Sequence, residues 1–285
     1  MASNLTQRIA VAVVAIPLAL GVIWYGGWPL VGTLSLVAAL GARELFTFAR
    51  RQGIRPLESW GTLSAALVPI AVYYASTEAT SFGTWSWFLA ALWLAATMGL
   101  VLAQRGPDQH PLPATSITVF GVLYTAGLPA SLIAIRHLTQ PDQSWTGAWL
   151  VFTPMVVTWV CDTAAMFVGK LVGGPKLWPS VSPGKTWSGA VAGVAGAVGT
   201  IPVLNALILN RIGAALPLSQ GVLLGVTLGI VGQVGDLIES LFKREVGLKD
   251  SSALIPGHGG ILDRLDSLYF VLPVAGAVYR LFGVI

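Results

Sequence analysis

The chain has 285 residues, of which 55% are hydrophobic and only 10% are charged, with a formal net charge of +4. Soluble domains carry about 25% charged residues, so this composition excludes an ordinary soluble fold and indicates a protein that is embedded in lipid. The single cysteine, Cys161, excludes an intramolecular disulfide framework.

Apolar segments that are long enough to cross a bilayer, which takes about 20 residues, follow one another along the whole chain. The segments are continuous apolar runs, which favours helices over the alternating strands of a membrane barrel. The first run, which ends at Tyr25, lacks a small-residue cleavage site and is interpreted as a span, not as a removed signal peptide. We predict an all-α, polytopic integral membrane protein with about nine transmembrane helices, at 8–25, 28–48, 60–76, 84–104, 115–135, 147–171, 187–209, 217–241 and 262–283.

The basic residues are divided unequally between the two sides of the membrane that these spans define. If the N-terminus is cytoplasmic, only Arg136, Arg211 and Arg280 of the 16 basic residues fall outside. Short cytoplasmic loops are enriched in Lys and Arg, so this orientation is favoured. We therefore expect a multi-pass protein of a bacterial-type inner (cytoplasmic) membrane, with the N-terminus cytoplasmic and the C-terminus outside.

Residues 1–285 are interpreted as a single membrane domain with two functionally different parts. The helices of 1–140 are mainly Ala, Leu, Val and Trp and are expected to be scaffold, whereas 147–285 is expected to supply the catalytic helices and cytoplasmic loops. Within the scaffold, the neighbours Arg43 and Glu44 near the end of the second span leave two interpretations open. They are either a helix end whose charges reach the interface or part of a site.

Isolated carboxylates interrupt the apolar runs of the C-terminal half. Asp162 and Asp236 lie inside predicted spans, and Asp263 and Asp266 open the last one. A charged carboxylate in hydrocarbon costs at least about 2.5–3.5 kcal/mol on insertion scales, so such residues face a polar cavity, a metal or a partner. A structural Asp–Lys pair is the alternative for any single residue.

Helical spacing groups some of these residues. Asp236, Glu239, Ser240 and Lys243 follow the spacing i, i+3, i+4, i+7 and are predicted to lie on one helix face, and Asp263 and Asp266 share the i, i+3 spacing. Carboxylate oxygens without histidine or cysteine clusters suit Mg²⁺ better than Zn²⁺.

Two loops between these spans are rich in groups that bind anions. One contains Lys185 and Thr186 in the fragment Gly-Lys-Thr, but Pro179 stands where a Walker A motif requires glycine and we expect no preceding strand, so a P-loop is rejected. The other carries basic residues at 243, 244 and 249 and glycines at 257, 259 and 260, just before the last helix. Backbone N–H groups at such glycines can approach an anion. The alternative is a charged interfacial loop that touches lipid headgroups.

The second loop and its flanks carry a specific sequence resemblance. The 27 residues from Ser240 to Asp266 resemble the signature of the phosphatidate cytidylyltransferase (CDP-diacylglycerol synthase) family, S-x-x-K-R-x4-K-D followed by P-x-H-G-G-x-x-D-R-x-D. Every fixed position is filled. The segments 162–170 and 182–187 also resemble family segments, with Thr163 where serine is commoner.

This resemblance implies a nine-helix fold and a Mg²⁺-dependent reaction in which phosphatidate attacks the α-phosphorus of CTP and pyrophosphate leaves. It implies a two-cation site, with an unidentified second ion, whose metal ligands are Asp236, Asp263 and Asp266. It assigns the neutralisation of substrate phosphates to Lys170, Lys185, Lys243, Arg244 and Arg264. Asp162 is expected to orient Lys170 or to share in the metal site. The remaining substrate-binding residues implied by the motifs are Ser182, Thr186, Lys249, Asp250, His258, Gly259 and Gly260.

The expected partners are CTP, phosphatidate and the lipid bilayer, without nucleic acid, and a homodimer is left open. Two other function classes compete with this interpretation. Intramembrane Asp residues also occur in ion-coupled transporters, although here they crowd one side and no repeated half is visible. A lipid kinase or nucleotidyltransferase that acts on another lipid is the second alternative, and a purely structural scaffold has no use for so many buried carboxylates.

Overall fold

The computed structural model describes residues 2–77, 82–255, 257 and 259–285, which are predominantly helical. One π-helical turn, Leu123–Gly127, lies between two α-helices, another, Asn205–Leu209, follows directly on the end of an α-helix, and a short 3₁₀ turn covers Pro107–Gln109. The helices are α1 (Ala2–Tyr25), α2 (Gly27–Arg51), α3 (Glu58–Thr77), α4 (Phe82–Gln104), α5 (Pro111–Val122), α6 (Leu128–His137), α7 (Trp145–Val172), α8 (Trp187–Leu204), α9 (Leu218–Glu245), α10 (Leu262–Leu265) and α11 (Leu268–Leu281).

Six helical segments within the described part of the chain are long and apolar enough to cross a membrane. They are Gly27–Arg51, Trp85–Gln104, Pro111–His137, Trp145–Val172, Trp187–Leu209 and Leu218–Glu245. The predicted all-α, polytopic membrane class is therefore confirmed, whereas the count of nine crossings stays a prediction.

The last predicted span is not one continuous helix. Helix α10 ends at Leu265 and α11 begins at Leu268, so a two-residue turn separates them. In this turn the backbone N–H of Ser267 donates to Oδ1 of Asp266 at 2.6 Å. A short acidic side chain that bonds the adjacent backbone competes with the helical hydrogen bonds, which explains the break.

The loop between α7 and α8 folds into an antiparallel hairpin of β1 (Lys176–Trp178) and β2 (Ser182–Thr186). The expectation that no strand precedes the Gly-Lys-Thr fragment was therefore wrong. A loop at the edge of an apolar bundle must satisfy its backbone polar groups, and the hairpin does so by a short ladder. Pro179 lies in the connection between the two strands and still excludes a Walker A loop.

The chain divides into two compact units, Met1–Leu138 with Asp250–Arg264, and Thr139–Lys249 with Leu265–Ile285. In the first unit the ring of Phe46 is fully buried between α3 and α5, where a Cβ atom on Gly61 or Gly121 would overlap it. These two glycines let the helices close around one aromatic ring. The surrounding core consists of Ala38, Ala42, Ala65, Val122 and Ala126.

In the second unit α7 and α9 pack against each other and each packs against α8 and α11, and small residues bring the backbones close. A Cβ atom on Gly225 of α9 would lie 2.6 Å from the backbone Cα of Val198 in α8. At Gly199, one residue further along α8, a Cβ atom would meet nothing within 4 Å. The close α8–α9 contact therefore requires glycine at position 225 but not at position 199.

Gly225→Ala is expected to lower the thermal midpoint of the detergent-solubilised protein by several degrees, because overpacking that shifts backbone costs about 1–3 kcal/mol. Gly199→Ala is the matched control and should leave the midpoint unchanged or raise it, since Ala gains up to about 1 kcal/mol over Gly in a helix interior. A thermal unfolding scan of both variants checks this. Equal midpoints for the two would contradict the proposed close α8–α9 contact.

Candidate functional site

A cavity of about 420 Å³ opens in the second unit between α7, the β-hairpin, α8 and α9. We refer to it as the α7–α8–α9 cavity. Two carboxylates from different helices, Asp162 of α7 and Asp236 of α9, line it. The residues predicted from the sequence that line it are Asp162, Lys170, Lys185, Thr186 and Asp236.

An ion pair joins two of these residues across the cavity. Nζ of Lys185, on β2, lies 2.8 Å from Oδ2 of Asp236, on α9, and the two side chains are 26% and 30% exposed. The charge of Lys185 also attracts Asp162, whereas Asp162 and Asp236 repel one another. Two carboxylates on helices therefore lie near one lysine. The β-hairpin places that lysine beside them.

The four residues that were predicted to share one face of α9, Asp236 among them, form two hydrogen-bonded pairs. The hydroxyl of Ser240 donates to Oδ1 of Asp236 at 3.3 Å, and Nζ of Lys243 donates to Oε2 of the buried Glu239 at 3.0 Å. Both hydrogen bonds join side chains that are four residues apart, which face each other on a helix. Lys243 is itself buried and paired, so its expected contact with a substrate phosphate stays a prediction.

Asp266 is a further carboxylate of the second unit, close enough to Asp162 and Asp236 to interact with both. It lies in the turn before α11 and is repelled by both Asp236 and Asp162, while Lys243 attracts it. Among the described residues of this unit, no three His, Cys, Asp or Glu side chains form a group that could hold a metal ion by themselves. Mg²⁺ usually takes one or two carboxylates together with substrate phosphates, so the two carboxylates of the α7–α8–α9 cavity fit that ion.

The hairpin that carries Lys185 is held in place at both ends. Thr186 is the N-cap of α8, where its hydroxyl oxygen accepts from the backbone N–H of Gly189 at 3.2 Å. Arg244 donates from Nε to the carbonyl of Val181 at 3.2 Å and from Nη1 to the carbonyl of Leu248 at 2.8 Å. Both residues were predicted to bind substrate, and here they position the hairpin.

Asp263 organises the glycine-rich loop of the first unit. Its Oδ2 accepts from the backbone N–H of Ser251 at 2.7 Å, from the hydroxyl of Ser251 at 2.9 Å and from the backbone N–H of Gly260 at 2.9 Å. Gly259 has a φ of +82°, a conformation that favours glycine, and its carbonyl accepts from the N–H of Ile255 at 2.8 Å. The predicted loop residues Gly259 and Gly260 are thus shaped around this carboxylate.

The remaining predicted site residues in the described part of the chain include one residue of the hairpin and several exposed side chains. Ser182 pairs with Trp178 in the hairpin and is not among the cavity-lining residues. His258 lies outside the described residues. The side chains of Lys249, Asp250 and Arg264 are exposed, as is that of Lys170, which also lines the α7–α8–α9 cavity. Their expected contacts with substrate stay predictions.

Gln233 is a cavity residue that the sequence analysis missed. Its buried Nε2 donates to the carbonyl of Gly229 at 2.9 Å and to that of Ala190 at 3.2 Å, and the side chain lines the α7–α8–α9 cavity. It lies three residues before Asp236, so the two share a helix face. Gln233 could therefore have been predicted from this spacing as a neighbour of Asp236. This amide fixes the contact of α9 with α8 beside the carboxylate.

Comparisons with known proteins match nearly the whole chain. A family model described as "Cytidylyltransferase family" matches residues 6–282. The phosphatidate cytidylyltransferase of Pseudomonas aeruginosa is 35% identical, over 96% of this chain and 96% of that protein. A protein of the same name from Bacillus subtilis is 32% identical, over 98% of this chain and 99% of that protein. Another, from a Synechocystis species, is 32% identical over 94% of each chain.

Proposed function

Because this chain belongs to the cytidylyltransferase family, we propose that it transfers CMP from CTP to phosphatidate, giving CDP-diacylglycerol and pyrophosphate. The membrane character of the helices supports a lipid substrate, since six described helices are long and apolar enough to cross a bilayer. The observation that carries the proposal is the α7–α8–α9 cavity, in which Lys185 and Asp236 form an ion pair beside Asp162. Such a site combines a lysine that can bind phosphate oxygens with carboxylates that can bind a cation.

The reaction needs positioning and charge neutralisation more than covalent participation of the protein. An oxygen of the phosphatidate phosphate attacks the α-phosphorus of CTP, the new P–O bond forms, and the bond to the β-phosphate oxygen breaks to release pyrophosphate. A phosphate monoester is largely ionised at neutral pH, so the attacking oxygen needs no strong base. Lys170 and Lys185, which line the cavity, are proposed to neutralise the phosphate charges.

We also propose that the reaction depends on Mg²⁺. The bound ion would neutralise phosphate charge and polarise the phosphoryl oxygens. Asp236 is the proposed ligand in the α7–α8–α9 cavity, with Asp162 beside it, and Asp263 and Asp266 are the further ligands that the family resemblance implies. A second cation is part of the same proposal.

The proposed location is a bacterial-type inner membrane, with the N-terminus cytoplasmic and the C-terminus outside. The distribution of basic residues supports this orientation, because Arg136, Arg211 and Arg280 are the only ones of the 16 that it leaves outside. This orientation gives the catalytic loops access to soluble CTP. The homodimer stays an expectation from the sequence.

Metal removal tests the proposal on the purified protein with phosphatidate and labelled CTP. The expected product is a labelled lipid together with an equal amount of pyrophosphate, and excess EDTA should reduce its formation by at least about 100-fold, because a bound metal contributes several kcal/mol to the transition state. A Mg²⁺ titration should restore it. Release of CDP instead of pyrophosphate would indicate a lipid kinase, and undiminished activity in EDTA would contradict the metal dependence.

A further inference from the structure

Glu44 of α2 is a buried carboxylate in the first unit, and the preceding residue, Arg43, is exposed. The two neighbours therefore have different environments, which excludes a shared helix end that reaches the interface. Glu44 is 7% exposed. A carboxylate this deeply buried requires several hydrogen-bond donors, because its charge is otherwise costly to remove from water.

The donors to Glu44 among the described residues come from one distant segment, the 250–264 loop of the same unit. Its Oε1 accepts from the hydroxyl of Ser252 at 2.7 Å and from the N–H of Ile261 at 3.0 Å. Its Oε2 accepts from the hydroxyl of Ser251 at 2.9 Å and from the N–H of Leu262 at 3.0 Å. One side chain of the second helix thus holds both ends of a loop more than 200 residues away in sequence.

The same loop presents Asp263, and one side chain connects the two carboxylates. The hydroxyl of Ser251 lies 2.9 Å from Oε2 of Glu44 and 2.9 Å from Oδ2 of Asp263, so its single proton can serve either oxygen. Gly260 packs against this group so closely that a Cβ atom there would overlap Ser251 and Glu44. A displacement of Glu44 would therefore be passed directly to Asp263.

We propose that Glu44 is a positioning residue, which fixes the 250–264 loop on α2 and thereby sets the place of the Asp263 carboxylate. This inference rests on the proposed function, in which Asp263 is a metal ligand, and assigns a role to the N-terminal helices beyond scaffold. Outer residues that orient metal ligands typically change metal affinity or activity by about 10–100-fold when they are replaced.

Glu44→Gln is the sharpest variant, because it keeps the shape of the side chain. The amide replaces one acceptor oxygen by an NH₂ group, which then faces a serine hydroxyl and a backbone N–H that both donate to the carboxylate in the wild type. The hydroxyl can rotate to accept from the new NH₂, but the backbone N–H loses its acceptor. We expect kcat to fall by about 10–100-fold and the Mg²⁺ concentration for half-maximal activity to rise at least about fivefold. The KM for CTP should change less than kcat, because Lys170 and Lys185, the proposed phosphate contacts, lie outside the loop that Glu44 holds.

Hydrogen exchange gives a second measurement that does not depend on activity. In the peptide that spans 250–264, the amides of Ile261 and Leu262 should exchange at least about tenfold faster in Glu44→Gln than in the wild type. Glu58→Gln is the matched control, since Glu58 is a partly exposed carboxylate of the same unit that pairs with Arg50. It should leave the exchange, kcat and the Mg²⁺ requirement unchanged.

Ser252→Ala keeps the inference testable if Glu44→Gln does not fold. Ser252 donates to Glu44 through its hydroxyl, so its removal should shift exchange and the Mg²⁺ requirement in the same direction by about two- to fivefold. Wild-type exchange and Mg²⁺ requirement in either variant would overturn the positioning role. A wild-type protein that makes no CDP-diacylglycerol would overturn the proposed function instead, and faster exchange in Glu44→Gln would then still show the anchoring of the loop.

Discussion

Asp236→Asn is expected to lower the formation of CDP-diacylglycerol by at least about 100-fold at saturating Mg²⁺, because the loss of a charged ligand removes several kcal/mol of transition-state stabilisation. The substitution keeps the size of the side chain and an oxygen that can accept from Ser240. It removes the negative charge that pairs with Lys185 in the α7–α8–α9 cavity. The measurement is the incorporation of labelled CTP into extractable lipid by the purified variant.

The control for this substitution lies near the end of the same helix, beyond Asp236. Glu245, the last residue of α9, is exposed, and Glu245→Gln removes the same charge without touching the cavity. It should retain wild-type activity, and both variants should elute as the wild type does in size-exclusion chromatography. An Asp236→Asn enzyme with more than about a tenth of the wild-type rate would contradict the ligand role, since a lost metal ligand costs more than one factor of ten.

The membrane helices could be predicted from the sequence because hydropathy and length are local properties. Nine apolar runs were expected, and every one of them contains helix in the structure, from α1 to α11. The break at Asp266 and Ser267 could not be predicted, because it depends on a side-chain hydrogen bond within the turn. The β-hairpin was missed for a related reason, since two short polar strands carry no hydrophobic alternation.

The sequence predicted those residues of the candidate site whose charged side chains are energetically costly to place in lipid. Asp162 and Asp236 were found because each interrupts an apolar run, and the structure places both in one cavity. The partner of Asp236 was not predictable, because Lys185 reaches it only through the fold of the hairpin. Glu44 was noticed as a charge near a helix end, but the donors that explain it lie over 200 residues away, beyond any local pattern.

Lys185→Ala is expected to lower kcat/KM for CTP by roughly 10–100-fold, because a hydrogen bond between charged groups contributes about 1.5–3 kcal/mol. In the structure its ammonium group already faces an anion, the carboxylate of Asp236, at 2.8 Å. In the proposed complex a phosphate would provide the anionic partner and Asp236 would be released to the metal. Lys185→Arg keeps the charge but changes its geometry, so it should recover part of the lost activity.

Lys176→Ala provides the matched control on the same hairpin. Lys176 lies on β1, where it pairs in register with Thr186, and it is exposed and not among the residues that line the cavity. If the hairpin lysines act only by attracting anionic lipid to the surface, the two alanine variants should lose similar activity, and high salt should abolish the difference from wild type. A loss confined to Lys185 that persists in high salt supports a direct phosphate contact, because a partly buried pair is screened far less than an exposed charge.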